Sequence, residues 1–387
     1  MSAAVPEPPA PGPDVPLLPG HGALVHEWIE PYGGSEKVLD VLADMLPGSD
    51  VICLWNDVPD RFPGHRVRES VLARTPLRRH KTLAMPLAPA VWRYRENDDY
   101  DWALVSSHQF AHQLRFRSQS RQFRKFVYVH SPARYLWAPE LDTRGGGLLP
   151  RLASPPLRHL DRRRSSEATL IAANSAFVGE RIRRAWGRES AVVHPPVDVE
   201  RIRAVPQWRE ELDPADERTF AGLPAEFLLG ASRLTPYKRL DLVIQAGAEA
   251  GLPVVVVGAG PDLPRLQALA ESVPVPVHFV GKVSDALLFT LYQHAVAYLF
   301  PAIEDFGIMP VEAMAAGAAI VANVEGGTGE SVTDGMSGVL CDFGSTSTIV
   351  DAISKASTLS PLEISEASER FSRSSFEAGV RRWLASA

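Results

Sequence analysis

Pro301-Ala302-Ile303-Glu304-Asp305-Phe306-Gly307-Ile308-Met309-Pro310-Val311-Glu312-Ala313-Met314-Ala315-Ala316-Gly317 is the stretch that decides the fold. The apolar run Ala295 to Phe300 comes just before it and reads as a buried strand. Pro310 suits the first position of a helix and Gly317 its end. Gly307 lies in the turn between them, where a ligand can come close to the backbone. N–H groups at the start of such a helix face the carboxyl edge of the sheet, a place for phosphates or sugar hydroxyls. Two carboxylates flank the turn: Glu304 at its mouth and Glu312 in the first helical turn.

The same strand–turn–helix rhythm runs through the chain in both directions. Gly22 to Trp28, Val51 to Trp55, Trp102–Ser106, Lys125–Val129, Thr169–Ala172 and Ala191–Val193 read as strands with helical stretches between. After Gly33-Gly34, Ser35 suits a helix cap, and Val38, Leu39, Val41, Leu42, Met45 and Leu46 repeat at helical spacing. Residues 199 to 224 are polar and lead into a second series: Phe227 to Ala231, Pro253–Val257, Val277–Val280, Val296–Phe300, Ala319–Ala322 and Gly338–Cys341. Each of these except the last precedes a helical segment or a glycine turn. Strands alternating with helices imply parallel sheets covered on both faces, an α/β class. Residues 1 to 20, rich in Pro, Ala and Gly, read as a disordered tail, and Ser372 to Ala387 as a final helix.

A chain of 387 residues suffices for two ordinary domains. A charged content of 22% and a net charge of −6 fit a globular protein without the basic field that recruits nucleic acid. Cys53 and Cys341 are too few for a disulfide framework and read as thiols, which points to the cytoplasm. No apolar run reaches the ~20 residues of a spanning helix, and no charged leader precedes an apolar block.

Glu304-x7-Glu312 around Phe306-Gly307, followed by an Ala-rich helix and a glycine, resembles the signature of the retaining GT-B glycosyltransferases of family four, the group 1 glycosyl transferases. Arg233 and Lys238 lie where that family's phosphate-gripping pair lies, and Gly33-Gly34 where its N-terminal glycine loop lies. Tyr128-Val129-His130-Ser131-Pro132, Ala173-Asn174-Ser175 and Pro195-Pro196-Val197-Asp198 fall in the same order, most similar to the mannosyltransferase-like branch. The resemblance covers roughly residues 22 to 345. It implies two doubly wound Rossmann-like domains facing across a cleft: an acceptor-side domain, 21–197, and a nucleotide-sugar domain, 198–371. Helix 372–387 would cross back to the first, and closure would hinge at Pro195-Pro196.

The resemblance also assigns roles. Arg233 and Lys238 would carry the charge of a donor diphosphate, the need that any such site must meet. Read alone, they are two basic residues of a solvated loop. Glu304 would orient the transferred sugar, and a carboxylate beside an apolar strand end needs a partner in any case. Glu312 would hold ribose hydroxyls, although a Glu in a first helical turn is also favoured by the helix dipole. Backbone N–H groups of Phe306, Gly307, Ile308 and Met309 would bind other hydroxyls, Val280-Gly281-Lys282 would lie near the base, and His130 would contact the donor sugar. Gly33-Gly34 reads equally as a phosphate-facing loop or a plain turn.

The implied reaction moves a hexose, mannose from GDP-mannose first, to an acceptor hydroxyl on a glycan, a lipid-linked saccharide or a natural product. No cofactor or metal is expected. His26-Glu27-Trp28-Ile29-Glu30 lacks the second histidine of a zinc-protease motif, and Gly258-Ala259-Gly260-Pro261 fails as a dinucleotide fingerprint because Leu263 holds the third glycine position. The basic stretches Arg74 to Lys81 and Arg158 to Arg164 read as solvated faces, or as a peripheral patch for a phospholipid-linked acceptor. Trp92, Tyr135 and Trp137 would line an acceptor groove or pack a core. Two alternatives share the nucleotide machinery: a sugar-nucleotide epimerase and a non-catalytic partner subunit.

Overall fold

The computed structural model describes residues 17–94, 99–138 and 148–387. The chain forms two compact units, one running to Pro196 and taking Ser374–Ala387, the other spanning Val197–Arg373. Most of the tail predicted over residues 1–20 lies outside the described residues. Residues 17–20 do not behave as a tail, because Leu18 is buried in the first unit's core.

The first unit holds a parallel sheet of β1 (Gly22–His26), β2 (Asp50–Cys53), β3 (Val67–Glu69), β4 (Trp102–Ser107), β5 (Arg124–Val129), β6 (Leu170–Ala173) and β7 (Ala191–Val192). Their order is β3-β2-β1-β4-β5-β6-β7, every pair parallel. The winding direction reverses between β1 and β4, where open α/β sheets bind ligands at the carboxyl edge. β3 escaped the sequence reading because this three-residue strand is only partly buried and has no apolar run. The final helix, Arg373–Ala385, buries Phe376, Val380 and Trp383 against this unit, with Phe376 edge-on to Tyr128 and Trp383 edge-on to Phe126.

The second unit repeats the plan with β8 (Leu228–Ala231), β9 (Val254–Val257), β10 (Val277–Gly281), β11 (Ala297–Phe300), β12 (Ile320–Asn323) and β13 (Val339–Cys341). Their order is β10-β9-β8-β11-β12-β13, again all parallel, with the switch point between β8 and β11. Val254 to Val257 are all buried, as a central strand covered on both faces requires.

Three sequence expectations need correction here. β13 is followed by a helix, Thr346–Ala356, which packs Ile349 and Ile353 into the core. Residues 199 to 224 are not a polar lead-in: Val199–Arg203 and Pro214–Ala221 are helical, and Trp208 is buried. The helix after Glu304 spans Ile308–Ala315 and starts two residues earlier than expected, because left-handed Gly307 (φ 89°) takes the cap position. Pro310 is tolerated there because no N–H of the first turn has an acceptor inside the helix.

Candidate active site

The second unit gathers its site at its switch point. The loop after β8 carries Arg233 and Lys238; the loop after β11 carries Glu304. Because β8 and β11 are neighbours, side chains 66 residues apart in sequence meet directly. Lys238 Nζ donates to Glu304 Oε1, and the two side chains are only 11% and 14% exposed. The ammonium also lies 5.4 Å from the Tyr237 ring and 5.5 Å from the Phe300 ring. Arg233 stands against the other end of the same tyrosine, its Nη2 donating to Tyr237 Oη at 3.1 Å. Both cations therefore lie against Tyr237, and the carboxylate pairs with one of them. Arg239, the next residue, holds a left-handed conformation (φ 54°) as the chain turns into helix Leu240–Ala250. A non-glycine residue there costs about 1 kcal/mol, strain of the kind stored at binding sites.

Two further loops hold this arrangement from behind. Leu234 N donates to Ala259 O at 3.0 Å, so Gly258-Ala259-Gly260 supports the arginine loop. A side chain on Gly258 would meet Ser232 O at 1.8 Å, which explains a glycine there without any dinucleotide. Gly258 N also donates to Gly281 O at 2.7 Å, which puts Val280-Gly281-Lys282 at the end of β10 beside that loop. The loop after β12 backs the acidic turn. Asn323 Nδ2 donates to Pro301 O at 2.9 Å, and Gly327 N to Glu304 O at 2.7 Å.

Phe306 is buried against Phe371 and anchors the turn, and Ile308 and Met309 pack partly into the core. Glu312 lies on the helix near enough to Tyr292 and Tyr298 that its charge helps burial push both phenols up. A Cβ on Gly327 would sit 2.2 Å from Asp305 O and 2.5 Å from Phe306 Cα. Gly327→Val is expected to displace the Glu304 turn, costing about 1–3 kcal/mol in urea denaturation and most of the activity. Gly64→Ala, where a Cβ meets nothing, is the control.

The first unit places its candidates at its own carboxyl edge. Gly33 caps helix Gly34–Met45 with extended backbone (φ 170°) and no side-chain cap. Ser35 is not the cap; it donates to Glu36 Oε2 at 2.8 Å. Glu36 is buried, and burial raises its pKa. His130 follows β5, and its Nε2 lies 2.8 Å from Ser106 Oγ.

Glu27 is a residue that the sequence reading missed. Its carboxylate is 1% exposed and accepts from Gln109 N at 2.7 Å, Ala111 N at 2.9 Å, His108 N at 3.1 Å and Ser107 Oγ at 3.3 Å. Glu27 thus pins the loop after β4. His26, Glu27 and His108 have the residue types of a metal cage, with one donor atom each within 4.8 Å of the others. Glu27 is already committed to three backbone amides and serves as an anchor.

Burial lowers the pKa of His26, partly offset by Glu27; burial, then His108 and His26, hold His130 well below the usual histidine value. Both are bases with depressed pKa values in the fold, so the unfolded chain takes up protons first. Stability is complete above a pH of about 6.5 and falls as pH drops toward the folded values. Melting temperature should decline from pH 7 to pH 5, less steeply in His130→Asn. A flat profile in the parent chain contradicts this.

The basic stretches and aromatics also find places. Trp92 is core, Tyr135 packs on Phe110, and Trp137 Nε1 donates to Asp161. Arg162 and Arg163 are exposed, as a solvated face requires, while Arg158, Arg162 and Arg164 also bond to Leu136 O, Ala185 O and Gln113 Oε1. Arg78 pairs with Asp57 and Lys81 with Glu30.

Comparison with known proteins then gives the family. The model described as "Glycosyl transferases group 1" matches residues 216–376, and that described as "Glycosyltransferase Family 4" matches residues 32–201. The chain belongs to the family 4, group 1 glycosyltransferases. It is 31% identical over 219 residues to the GDP-mannose-dependent alpha-(1-6)-phosphatidylinositol monomannoside mannosyltransferase of Mycolicibacterium smegmatis, covering 52% of this chain and 55% of that one. It is 32% identical over 199 residues to the D-inositol 3-phosphate glycosyltransferase of Streptomyces griseus, covering 44% and 42%. The chain thus matches about half the length of these curated relatives. Among solved structures, Anabaena HepE in complex with UDP superposes with a TM-score of 0.68 at 19% identity, covering 95% of this glycosyltransferase-family chain and 100% of HepE. The lipopolysaccharide outer core galactosyltransferase WaaB superposes with a TM-score of 0.67 at 17% identity, covering 95% and 99%. The fold is GT-B, built of two Rossmann-like domains. Among the described residues, no helix is long and apolar enough to cross a membrane.

Proposed function

We propose that this chain transfers a hexose from a nucleoside diphosphate sugar to an acceptor hydroxyl and keeps the anomeric configuration, with GDP-mannose as the first donor. The observation that carries the proposal is the Lys238–Glu304 pair at the switch point of the second unit, with Arg233 held beside it by Tyr237. A donor diphosphate exchanges with Glu304 for the ammonium of Lys238 and takes the guanidinium of Arg233. Glu304 is thereby released to accept from a hydroxyl of the sugar. Glu312 accepts from the ribose, the N–H groups opening helix Ile308–Ala315 meet other hydroxyls, and His130 donates to a substrate oxygen.

The bond from the anomeric carbon to the phosphate oxygen breaks as the bond to the acceptor oxygen forms on the same face. The hydroxyl proton passes to the departing phosphate, whose new charge rests on Lys238 and Arg233. No metal is needed in this scheme. Mannose and GDP are supported by the GDP-mannose-dependent mycobacterial relative; HepE is seen in complex with UDP and with UDP-glucose. Inositol-bearing acceptors, free or lipid-linked, are supported by both curated relatives. A lipid-linked acceptor is also supported by exposed Leu83 and Leu87 among the arginines of residues 74–93 and exposed Val71 just before them, a surface for peripheral contact at the cytoplasmic membrane face.

The test is incubation of the full chain with GDP-mannose or UDP-glucose, inositol phosphates and inositol lipids, with excess EDTA. Proton NMR should show a mannosylated product with the donor's α configuration. An inverted product, an epimerised donor, or no consumption of any nucleotide sugar overturns the reading.

A further inference from the structure

The hydrogen bonds behind His130 fix which of its nitrogens carries the proton. His26, Ser106 and His130 lie at the carboxyl ends of β1, β4 and β5, three adjacent central strands, with His26 in register with Ser106. His26 Nδ1 lies 3.1 Å from Ser106 O and 3.1 Å from Ser106 Oγ. A carbonyl oxygen only accepts, so His26 Nδ1 bears a hydrogen. That nitrogen then has no lone pair to receive the serine proton. Ser106 is fully buried, and the contacts of its hydroxyl are the two imidazoles. If His130 also donated, the serine proton would be buried without an acceptor, an arrangement that folded proteins avoid. The hydroxyl therefore donates to His130 Nε2 at 2.8 Å.

We infer that Ser106, oriented by His26, is a positioning residue that holds His130 as the neutral Nδ1–H tautomer and presents that N–H to a substrate oxygen. The inference rests on the proposed transferase reading for the substrate, but the tautomer follows from the first unit alone. A neutral imidazole in this tautomer offers its Nδ1–H as a hydrogen-bond donor without bringing a net charge to the substrate. His26 is fully buried with Nε2 unpartnered, so it too is held neutral.

The experiment reads the tautomer and the rate separately. Nitrogen-15 NMR of the full chain labelled at histidine should show His130 protonated at Nδ1 and not at Nε2, with Ser106→Ala mixing the two forms. Ser106→Ala should lower kcat about tenfold, the scale of one hydrogen bond, with KM for GDP-mannose nearly unchanged. Ser106→Thr, which restores a hydroxyl, should recover both signals. An Nε2–H tautomer in the parent chain, or a tautomer indifferent to Ser106→Ala, overturns the relay. The expected tautomer change with unaltered kcat overturns the positioning role and leaves the transferase reading to its own assay. A parent chain that transfers no sugar fails that reading alone, and the NMR still decides the relay.

Discussion

Lys238→Ala lowers turnover about a hundredfold or more, the scale of losing one preorganised charged donor. The lysine is the group that meets charge as it appears on the leaving phosphate, so the loss falls on kcat more than on KM. Its removal also takes a close cation from Glu304, whose side chain is only 14% exposed, so the single variant loses stability as well. The two effects separate in a double-mutant cycle. Lys238→Ala with Glu304→Ala removes both members of the ion pair and regains stability, yet stays inactive. Lys238→Met keeps the alkyl stem beside the Tyr237 and Phe300 rings, so any remaining loss is that of the charge. Steady-state rates and urea denaturation of the parent chain, the two single alanine variants, the double variant and Lys238→Met make the test. Normal turnover in Lys238→Ala contradicts the assignment.

Asp161→Ala unfolds the first unit at far lower urea, with an expected loss of about 3–5 kcal/mol. Asp161 is fully buried in helix Leu148–Ser165. It accepts from Gln113 Nε2 at 2.7 Å and from Trp137 Nε1 and Trp186 Nε1, both at 2.8 Å, and lies 3.0 Å from His112 Nε2. Burial alone would push its carboxyl up; His112 and the bonds from His112 and the two indoles outweigh it and hold the pKa below the usual range. Alanine leaves two indoles and an amide with buried donors and no acceptor. Asp161→Asn, which keeps the shape and an oxygen, should cost less. A loss below about 1 kcal/mol in Asp161→Ala contradicts this account, since that is the worth of one ordinary hydrogen bond.

Much of the fold was legible because parallel strands covered on both faces must be apolar along their whole length. Val254 to Val257 and Trp102 to Ser106 announce themselves in that way. The partly buried edge strand Val67–Glu69 does not, and Pro155-Pro156 disguises helix Leu148–Ser165 as a break. The candidate site divides along the same line. A family pattern singled out Arg233, Lys238 and Glu304 on loops and Glu312 on the helix that follows, and the fold joins Lys238 to Glu304 at one switch point.

Glu27, Ser106 and Asp161 were not legible, because their meaning lies in partners far along the chain. Glu27 meets amides about eighty residues later, and Asp161 meets Gln113 forty-eight residues earlier. Nothing local marks such residues; Asp161 sits in a run of arginines that reads as solvated surface.

The central claim is that Lys238, Arg233 and Glu304 receive one sugar diphosphate. A crystal structure of the full chain with GDP-mannose tests it most directly. The account predicts diphosphate oxygens within hydrogen-bond distance of Lys238 Nζ and the Arg233 guanidinium, with Glu304 turned from the lysine to a mannose hydroxyl. A diphosphate seated elsewhere, with Lys238 still bound to Glu304, would contradict it.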